Sequence, residues 1–359
     1  MTDGVASRRK IWALAVFIWM LLPLAGTAQI SKDEGIVFFP TVAQRVGDAW
    51  EVEARGWVYE VEPRKALLAV FRKGLGLDES SDPEARALFA ERARLFFADN
   101  ERGKKVSIEI GKTIYPLGVS AANGHFGATI KLAMDEVKRL GVADGRILFR
   151  AITAVGDKRE FIGTIHLVED AGFSVISDID DTIKISHVLD KKELLANTFY
   201  RPFKAVPGMA EVYRGWAGQG ARFHYLSAGP WQLYPPLAEW AQAERFPSGS
   251  FQMKDFRWKD RTALNLFEKP EEYKLPAIEA LLRRFPKRRF LLVGDSGEKD
   301  PEVYGAAARK FPEQISHILI RDVTGEDAAA ERYATAFRDV PAPKWRIFKE
   351  ATEIKDAAK

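Results

Sequence analysis

The sequence predicts an α/β domain built on a Rossmann-type parallel sheet, preceded by a β-sandwich-like domain. Three observations carry this expectation. The chain has 359 residues, enough for about two domains. Its first half shows short alternating runs separated by turn residues, the pattern of antiparallel strands. Its second half alternates short apolar runs with helical stretches, the pattern of a parallel sheet with crossover helices. The expected units are a leader at 1–28, a β-rich domain at 35–169 and an α/β domain at 170–350.

The N-terminus reads as a targeting segment. Ser7-Arg8-Arg9-Lys10 forms a basic start, Ile11 to Gly26 carries no charge, and Gly26-Thr27-Ala28 places small residues before a cut after Ala28. That stretch is shorter than a spanning helix requires and is broken by Pro23. The expectation is an exported, periplasmic protein, with an uncleaved N-terminal anchor as the alternative.

In the β-rich half, Trp50 to Val61 (WEVEARGWVYEV) largely alternates polar and apolar. Arg94–Phe97, Val106–Ile110, Gly127–Leu132, Ile147–Val155 and Phe161–Val168 read as further strands. Asn123-Gly124 and Gly156-Asp157 supply turns. A helical insert is expected over Asp82 to Arg92. In the second half, strands are expected at Phe173–Ser177, Ala221–Leu226, Ser250–Met253, Arg289–Val293 and Ile315–Ile320. Helices are expected near Gly208–Ala217, Trp231–Glu244, Pro276–Arg284 and Asp300–Lys310.

Composition narrows the function classes. The chain is 47% hydrophobic and 29% charged, which supports packed cores. The formal charge is +4, and removing 1–28 takes away three cations and one anion, leaving +2. Nothing points to nucleic acid. There is no cysteine, which excludes thiolate catalysis, disulfides and a lipoprotein anchor.

Ligands of parallel sheets sit beyond the carboxyl ends of the strands. The first expected strand there ends in Asp178-Ile179-Asp180-Asp181-Thr182, and the second in Ser227. Lys274 opens a helix in which Pro276 suits the first turn. The strand RFLLV runs into Gly294-Asp295-Ser296-Gly297-Glu298-Lys299-Asp300. This set supports phosphoryl transfer. Asp178 can attack phosphorus and form an aspartyl-phosphate. Asp180 can protonate the leaving oxygen and later activate water. Ser227 and Lys274 can hold phosphoryl oxygens. The second acid cluster can bind Mg²⁺, a cation that prefers oxygen ligands, and the cation with Lys274 offsets repulsion among the acids.

Blander readings exist. A calcium loop starting at Asp178 would need Gly at its sixth position and an acid at its twelfth, and this chain has Ile183 and Leu189. Asp181 caps the following turn or orients a neighbour. Glu298 is a metal ligand or a solvated loop acid. His125 and His187 read as solvated or structural. Phe199, Tyr200 and Phe203 read as core, or as a lip for an acyl chain. Between Thr182 and Ser227 lie 44 residues, which leaves no room for a large lid and predicts an open site.

The four segments, taken in order, resemble the motifs of the haloacid dehalogenase (HAD) superfamily. The match is DIDDT, Ser227, Lys274 and GDSGEKD. More closely, SDIDDTIK, YLSAGPWQLYP, EYKLPAIEALLRRFP, LVGDSGEKDPEVY and HILIRDV are similar to the actin-patch-associated phosphatidate phosphatase family, over roughly Gly35 to Val323. That resemblance implies a HAD-like fold and a Mg²⁺-dependent phosphatase acting on phosphatidate. It implies Asp178 as nucleophile, Asp180 as acid/base, and phosphate binding by Thr182, Ser227 and Lys274. It further implies metal binding through Asp178, Asp180 (its backbone carbonyl), Asp295 and, beside the metal or beyond it, Asp300. The pair Ala228-Gly229 departs from a more polar pair in the eukaryotic pattern. The implied partner is a phospholipid or another phosphate monoester, with peripheral membrane contact. Two further readings stay open: a periplasmic phosphatase of small esters or phosphoproteins, and an envelope- or lipid-binding module whose catalytic domain is secondary.

Overall fold

A computed structural model describes residues 30–61, 65–142, 144–255 and 270–358. The leader expected at 1–28 lies outside them. Among the described residues no helix is long and apolar enough to cross a membrane.

The first half holds β1 (Glu34–Phe39), β2 (Thr41–Val46), β3 (Ala49–Glu60), α1 (Lys65–Gly74), α2 (Pro83–Ala93), β4 (Asp99–Asn100), β5 (Lys105–Ile110), β6 (Thr113–Val119), β7 (His125–Ala133), α3 (Met134–Arg139), β8 (Arg146–Ala151) and β9 (Ile162–Val168). The strands form one hydrogen-bonded sheet in the order β1-β3-β2-β9-β8-β5-β6, with β4 and β7 also on β3. Two stacked sheets, as in a sandwich, are not what these ladders draw. The sheet curls so that β6 runs beside β7. Strand alternation sends Trp50, Val52, Ala54, Ile130, Ile147 and Ile165 into its interior. The alternation in the sequence fixes which residues turn inward, and the same alternation serves a sandwich or a curled sheet.

Two expected elements change. Arg94–Phe97 is a 3-10 turn rather than a strand; it continues directly from α2, and Leu95, Phe96 and Phe97 are all buried. The strand expected to reach Val155 stops at Ala151, and Val155 is fully exposed. The helical insert is as expected: Asp82 caps α2 by accepting from the Glu84 N–H at 3.0 Å, with Pro83 at the first position.

The second half holds β10 (Gly172–Asp178), α4 (Lys191–Phe199), α5 (Met209–Gly218), β11 (Arg222–Pro230), α6 (Tyr234–Ala243), β12 (Gly249–Lys254), α7 (Pro270–Arg284), β13 (Arg288–Asp295), α8 (Asp300–Lys310), β14 (Ile315–Arg321), α9 (Glu331–Ala336) and β15 (Trp345–Phe348). The six strands are all parallel, in the order β12-β11-β10-β13-β14-β15. The chain moves outward from β10 through β11 to β12, then returns to the other side of β10 with β13. The end of β10 is therefore a topological switch point, where a crevice opens between diverging connections.

The halves are joined by a shared core. Phe39, Trp57, Phe71 and Phe89 from the first half pack in one cluster with Ile179, Phe199 and Trp231 from the second. Phe39 stacks on Trp231 with ring centroids 3.8 Å apart. Arg92 reaches from α2 to the carbonyls of Thr198 and Arg201 at 2.8 and 2.7 Å. Phe199 is core, and Tyr200 and Phe203 pack against it. An acyl-chain lip at Phe199 is therefore not what its burial provides.

Candidate active site

Val175 and Ile176 are fully buried on β10, so the strand delivers Asp178 to the switch point with 1% of its surface exposed. The chain then turns back sharply. Asp181 has φ +51°, a left-handed conformation that Asp tolerates better than most residues. Its carboxylate accepts the backbone N–H groups of Ser186 at 2.8 Å, His187 at 3.0 Å and Val188 at 2.6 Å. Asp181 thus organises the loop after the strand, as a cap does. His187 is exposed and contributes its backbone, not its ring.

Asp180 lies beside Lys184, its Oδ1 2.8 Å from Nζ. The same oxygen accepts from the Ser186 hydroxyl at 2.6 Å. Ser227, at the end of β11, donates to Asp180 Oδ2 at 3.4 Å and accepts the Gly229 N–H at 2.9 Å. Burial pushes the Asp180 carboxyl up, but Lys184 and the Lys184 and Ser186 hydrogen bonds outweigh it and hold the group below its usual range. Asp180 is accordingly a carboxylate in this arrangement, the form a general base needs.

Lys274 does not sit at a helix start. Helix α7 begins at Pro270, and Pro276 lies inside it. The earlier start puts Lys274 on the buried face shared with Ile278, Leu281 and Phe285, at helical spacing. Its ammonium is completely buried. It lies 2.7 Å from Asp178 Oδ1, 2.8 Å from Glu298 Oε2 and 2.6 Å from Asp300 Oδ1. Burial alone would lower the Lys274 pKa; attraction to Asp178, Asp300 and Glu298 wins, and the amine stays charged.

The loop after β13 closes the site. Asp295 Oδ1 accepts from the N–H groups of Gly297 at 2.6 Å and Glu298 at 3.2 Å. Asp300 Oδ2 accepts from the Asp295 N–H at 3.2 Å. A Cβ at Gly294 would collide with Asp300, and one at Gly297 would come within 2.9 Å of Asp295 Oδ1. Both positions need glycine for that reason. Arg332 ties the loop from outside, donating to the carbonyls of Ser296 and Glu298 and pairing with Glu302 at 2.9 Å.

The charge balance is the informative feature. Asp178, Glu298 and Asp300 contact one lysine, Lys274, and Asp295 is a fourth carboxyl group under the influence of the same charges. Burial, then the neighbouring acids, push Asp295 well above the carboxylate range; burial does the same to Asp178 against the pull of Lys274. More positive charge is needed to ionise all four. Two buried carboxylate oxygens here, Asp178 Oδ2 and Asp295 Oδ2, have no hydrogen-bond partner among the described residues, and buried polar atoms are rarely left so. Asp178, Glu298 and Asp300 offer oxygens within 4.8 Å of one another, and all three carboxylates also contact Lys274. The unpartnered Asp178 Oδ2 and Asp295 Oδ2 are further oxygens of the kind a hard divalent cation takes.

The structure places six of the nominated residues near one another, Asp178, Asp180, Ser227, Lys274, Asp295 and Asp300. The Thr182 hydroxyl is buried and without a partner. Asp300 has both oxygens occupied, by Lys274 and by the Asp295 N–H, which suits a supporting position. Glu298 is neither a solvated acid nor free, since it holds Lys274. Lys184 and Arg332 were not singled out; Lys184 stands beside the first acid cluster in the sequence and that adjacency was its signal, whereas nothing near Arg332 hints at its role. The expected openness is absent at the carboxylates: Asp178, Lys274 and Asp295 are at most 1% exposed. The loop held by Asp181 brings Val188 against Gly297, in the loop that carries Asp295.

Residues 173–322 match the family model of the phosphatidate phosphatase APP1 catalytic domain. The chain is 34% identical to phosphatidate phosphatase APP1 of Saccharomyces cerevisiae over 160 residues, 44% of this chain and 27% of that protein. It is 28% identical over 172 residues to an uncharacterized protein of Schizosaccharomyces pombe, covering 47% of this chain and 28% of that one. The chain thus spans little more than a quarter of either relative. Among solved structures, a putative β-phosphoglucomutase from Thermotoga maritima aligns at TM-score 0.31 and 12% identity, over 52% of this chain and 98% of that one. A chain of the Pnkp1/Rnl/Hen1 complex aligns at 0.29 and 15%, over 50% and 58%. The parallel-sheet half is therefore similar in sequence to the APP1 catalytic domain.

Proposed function

We propose that the protein is a divalent-metal-dependent phosphatase of the HAD type, acting through an aspartyl-phosphate on Asp178, with phosphatidate as substrate and diacylglycerol as product. The observation that carries this reading is the Asp178 carboxylate at the switch point, one oxygen on Lys274 and the other unpartnered beside Asp295.

Asp178 attacks phosphorus, forming an O–P bond as the bond to the leaving alkoxide breaks. Asp180, a carboxylate in the free enzyme, takes the proton that a phosphate monoanion carries in and passes it to the leaving alkoxide. Water then attacks phosphorus, its proton passes to Asp180, and inorganic phosphate leaves a free Asp178. Lys184 favours ionised Asp180 and so supports the second step. Lys274 fixes the nucleophile's orientation, while Ser227 and Thr182 offer hydroxyls to phosphoryl oxygens. Asp178 Oδ2, Asp295 Oδ2 and the Asp180 backbone carbonyl are the groups that would hold Mg²⁺. Bound there, the cation supplies the positive charge that four acids and a phosphoryl group require.

The leader-like residues 1–28 support export, which would put the enzyme on the periplasmic side with peripheral access to lipid. Phosphate release from phosphatidate in mixed micelles, set against a panel of soluble phosphomonoesters, tests the substrate. Faster turnover of phosphatidate supports the lipid reading. Equal or better turnover of the soluble esters would replace it with a periplasmic phosphatase of small esters or phosphoproteins.

A further inference from the structure

A large cavity lies at the opposite end of the parallel sheet from the acids. It measures about 1010 Å³, the upper end of the range for small-molecule sites. Its walls come from both halves of the chain. Strand period places Ile162, Thr164, His166 and Val168 of β9 on one face, and all four line the space. Arg146 and Leu148 of β8 join them, Arg146 being the cross-strand partner of His166. Opposite stand Phe223 of β11 and Tyr234, Ala238 and Ala241 of α6, at helical spacing along one face. Leu148 and Ile162 are 63% and 58% exposed, an unusual placement for apolar residues facing another apolar wall.

One end of this apolar space is basic. Arg146 and Arg222 line it, Arg245 is a further cation of the lining, and Asp144 is the one acid among the lining residues. Asp144 is 79% exposed on its side chain and meets Arg146 only at 3.5 Å. Arg222 is held in place by donating to the Asp144 carbonyl at 3.3 Å. His166 lies in the same wall, buried, with Nε2 unpartnered. Burial, then Arg146 and Arg222, lower its pKa to about 4, which places both guanidiniums close to the ring.

We propose that this cavity binds a single-chain anionic amphiphile, with its head on Arg146 and Arg222 and its chain between the β8–β9 face and α6. The shared chemistry is an anionic head, carboxylate or phosphate, on an apolar chain. Along β11, Arg222 and Ser227 are five residues apart, about 17 Å at strand spacing, so this site is separate from the acid cluster. It does not depend on the phosphatase reading.

The test uses the full chain carrying Asp178→Asn, so that nothing turns over, and measures binding calorimetrically. The probes are oleate and 1-oleoyl-lysophosphatidate, with oleyl alcohol and inorganic phosphate as controls. At least one amphiphile should bind at one site per chain, and both controls at least about tenfold more weakly, because each lacks half of the recognition. Tighter oleate assigns a carboxylate head and tighter lysophosphatidate a phosphate head, and either supports the site. Ala238→Phe should abolish binding by filling the chain space, and Arg146→Ala should weaken it about tenfold. The proposal is overturned if neither amphiphile binds, if oleyl alcohol binds as well as oleate, or if both variants, folded by circular dichroism, bind like the parent.

Discussion

Lys274→Met isolates the central electrostatic feature. Methionine keeps most of the side-chain length, so the change removes charge with little loss of packing. The ammonium is completely buried and touches three carboxylates at 2.6–2.8 Å. Its removal leaves buried acids without a cation, and breaking a buried pair in this way costs about 3–5 kcal/mol. For an α/β domain of this size that corresponds to a loss of roughly 10 °C in the unfolding midpoint. Asp300→Asn should cost less, because Lys274 keeps Asp178 and Glu298. The double variant should recover part of the Lys274→Met loss, giving a coupling of about 1–3 kcal/mol. The assay is thermal and urea unfolding of the four proteins in chelator, so that no divalent cation replaces the missing charge. A Lys274→Met midpoint within about 2 °C of wild type, or strictly additive effects, would refute the reasoning.

Three other outcomes are expected. Asp181→Ala removes the acceptor for three backbone N–H groups and puts a Cβ-bearing residue without a local partner at φ +51°; calorimetry should show a loss of about 2–4 kcal/mol, with Asp181→Asn in between. His224, buried between Ser250 and Ser174 at 2.8 and 3.1 Å, is held neutral by burial and then by Arg288, its pKa lowered to about 3. The unfolded chain takes up that proton first, so this contribution is complete above an unfolded pKa of about 6.5 and shrinks as pH falls toward 3, by about 2 kcal/mol at pH 5. Urea melts should therefore show a pH 5–7 slope that His224→Gln reduces by roughly half, His166 supplying the rest. Finally, chelation should abolish phosphate release and Mg²⁺ should restore it; activity that persists in chelator would contradict the cation assigned to Asp178 and Asp295.

Much of this site was legible in the sequence because strand ends concentrate chemistry. Val175 and Ile176 announce a buried strand, and acids that follow such a strand must sit where a parallel sheet meets its ligand. Of the two glycines in GDSGEKD, Gly294 lies against Asp300 and Gly297 against Asp295. What was not legible depends on distant packing. The depth of Lys274 requires α7 to start at Pro270, beyond any local signal around Pro276. Arg332 acts on a loop more than thirty residues away in sequence. Arg94–Phe97 has strand-forming residues, but its aromatic rings meet the shared core, and that tertiary gain overrides local preference. The curled sheet was missed because inward and outward alternation is the same in a barrel-like sheet as in a sandwich.

The most direct measurement is phosphate release from phosphatidate by wild type and Asp178→Asn, with Mg²⁺ present and both proteins shown to be folded. The account predicts that the wild type releases phosphate and passes through an acid-stable, hydroxylamine-sensitive phosphoryl adduct, while Asp178→Asn forms no adduct and loses at least about four orders of magnitude in rate. Equal release by the two proteins would contradict Asp178 as nucleophile and with it the proposed mechanism.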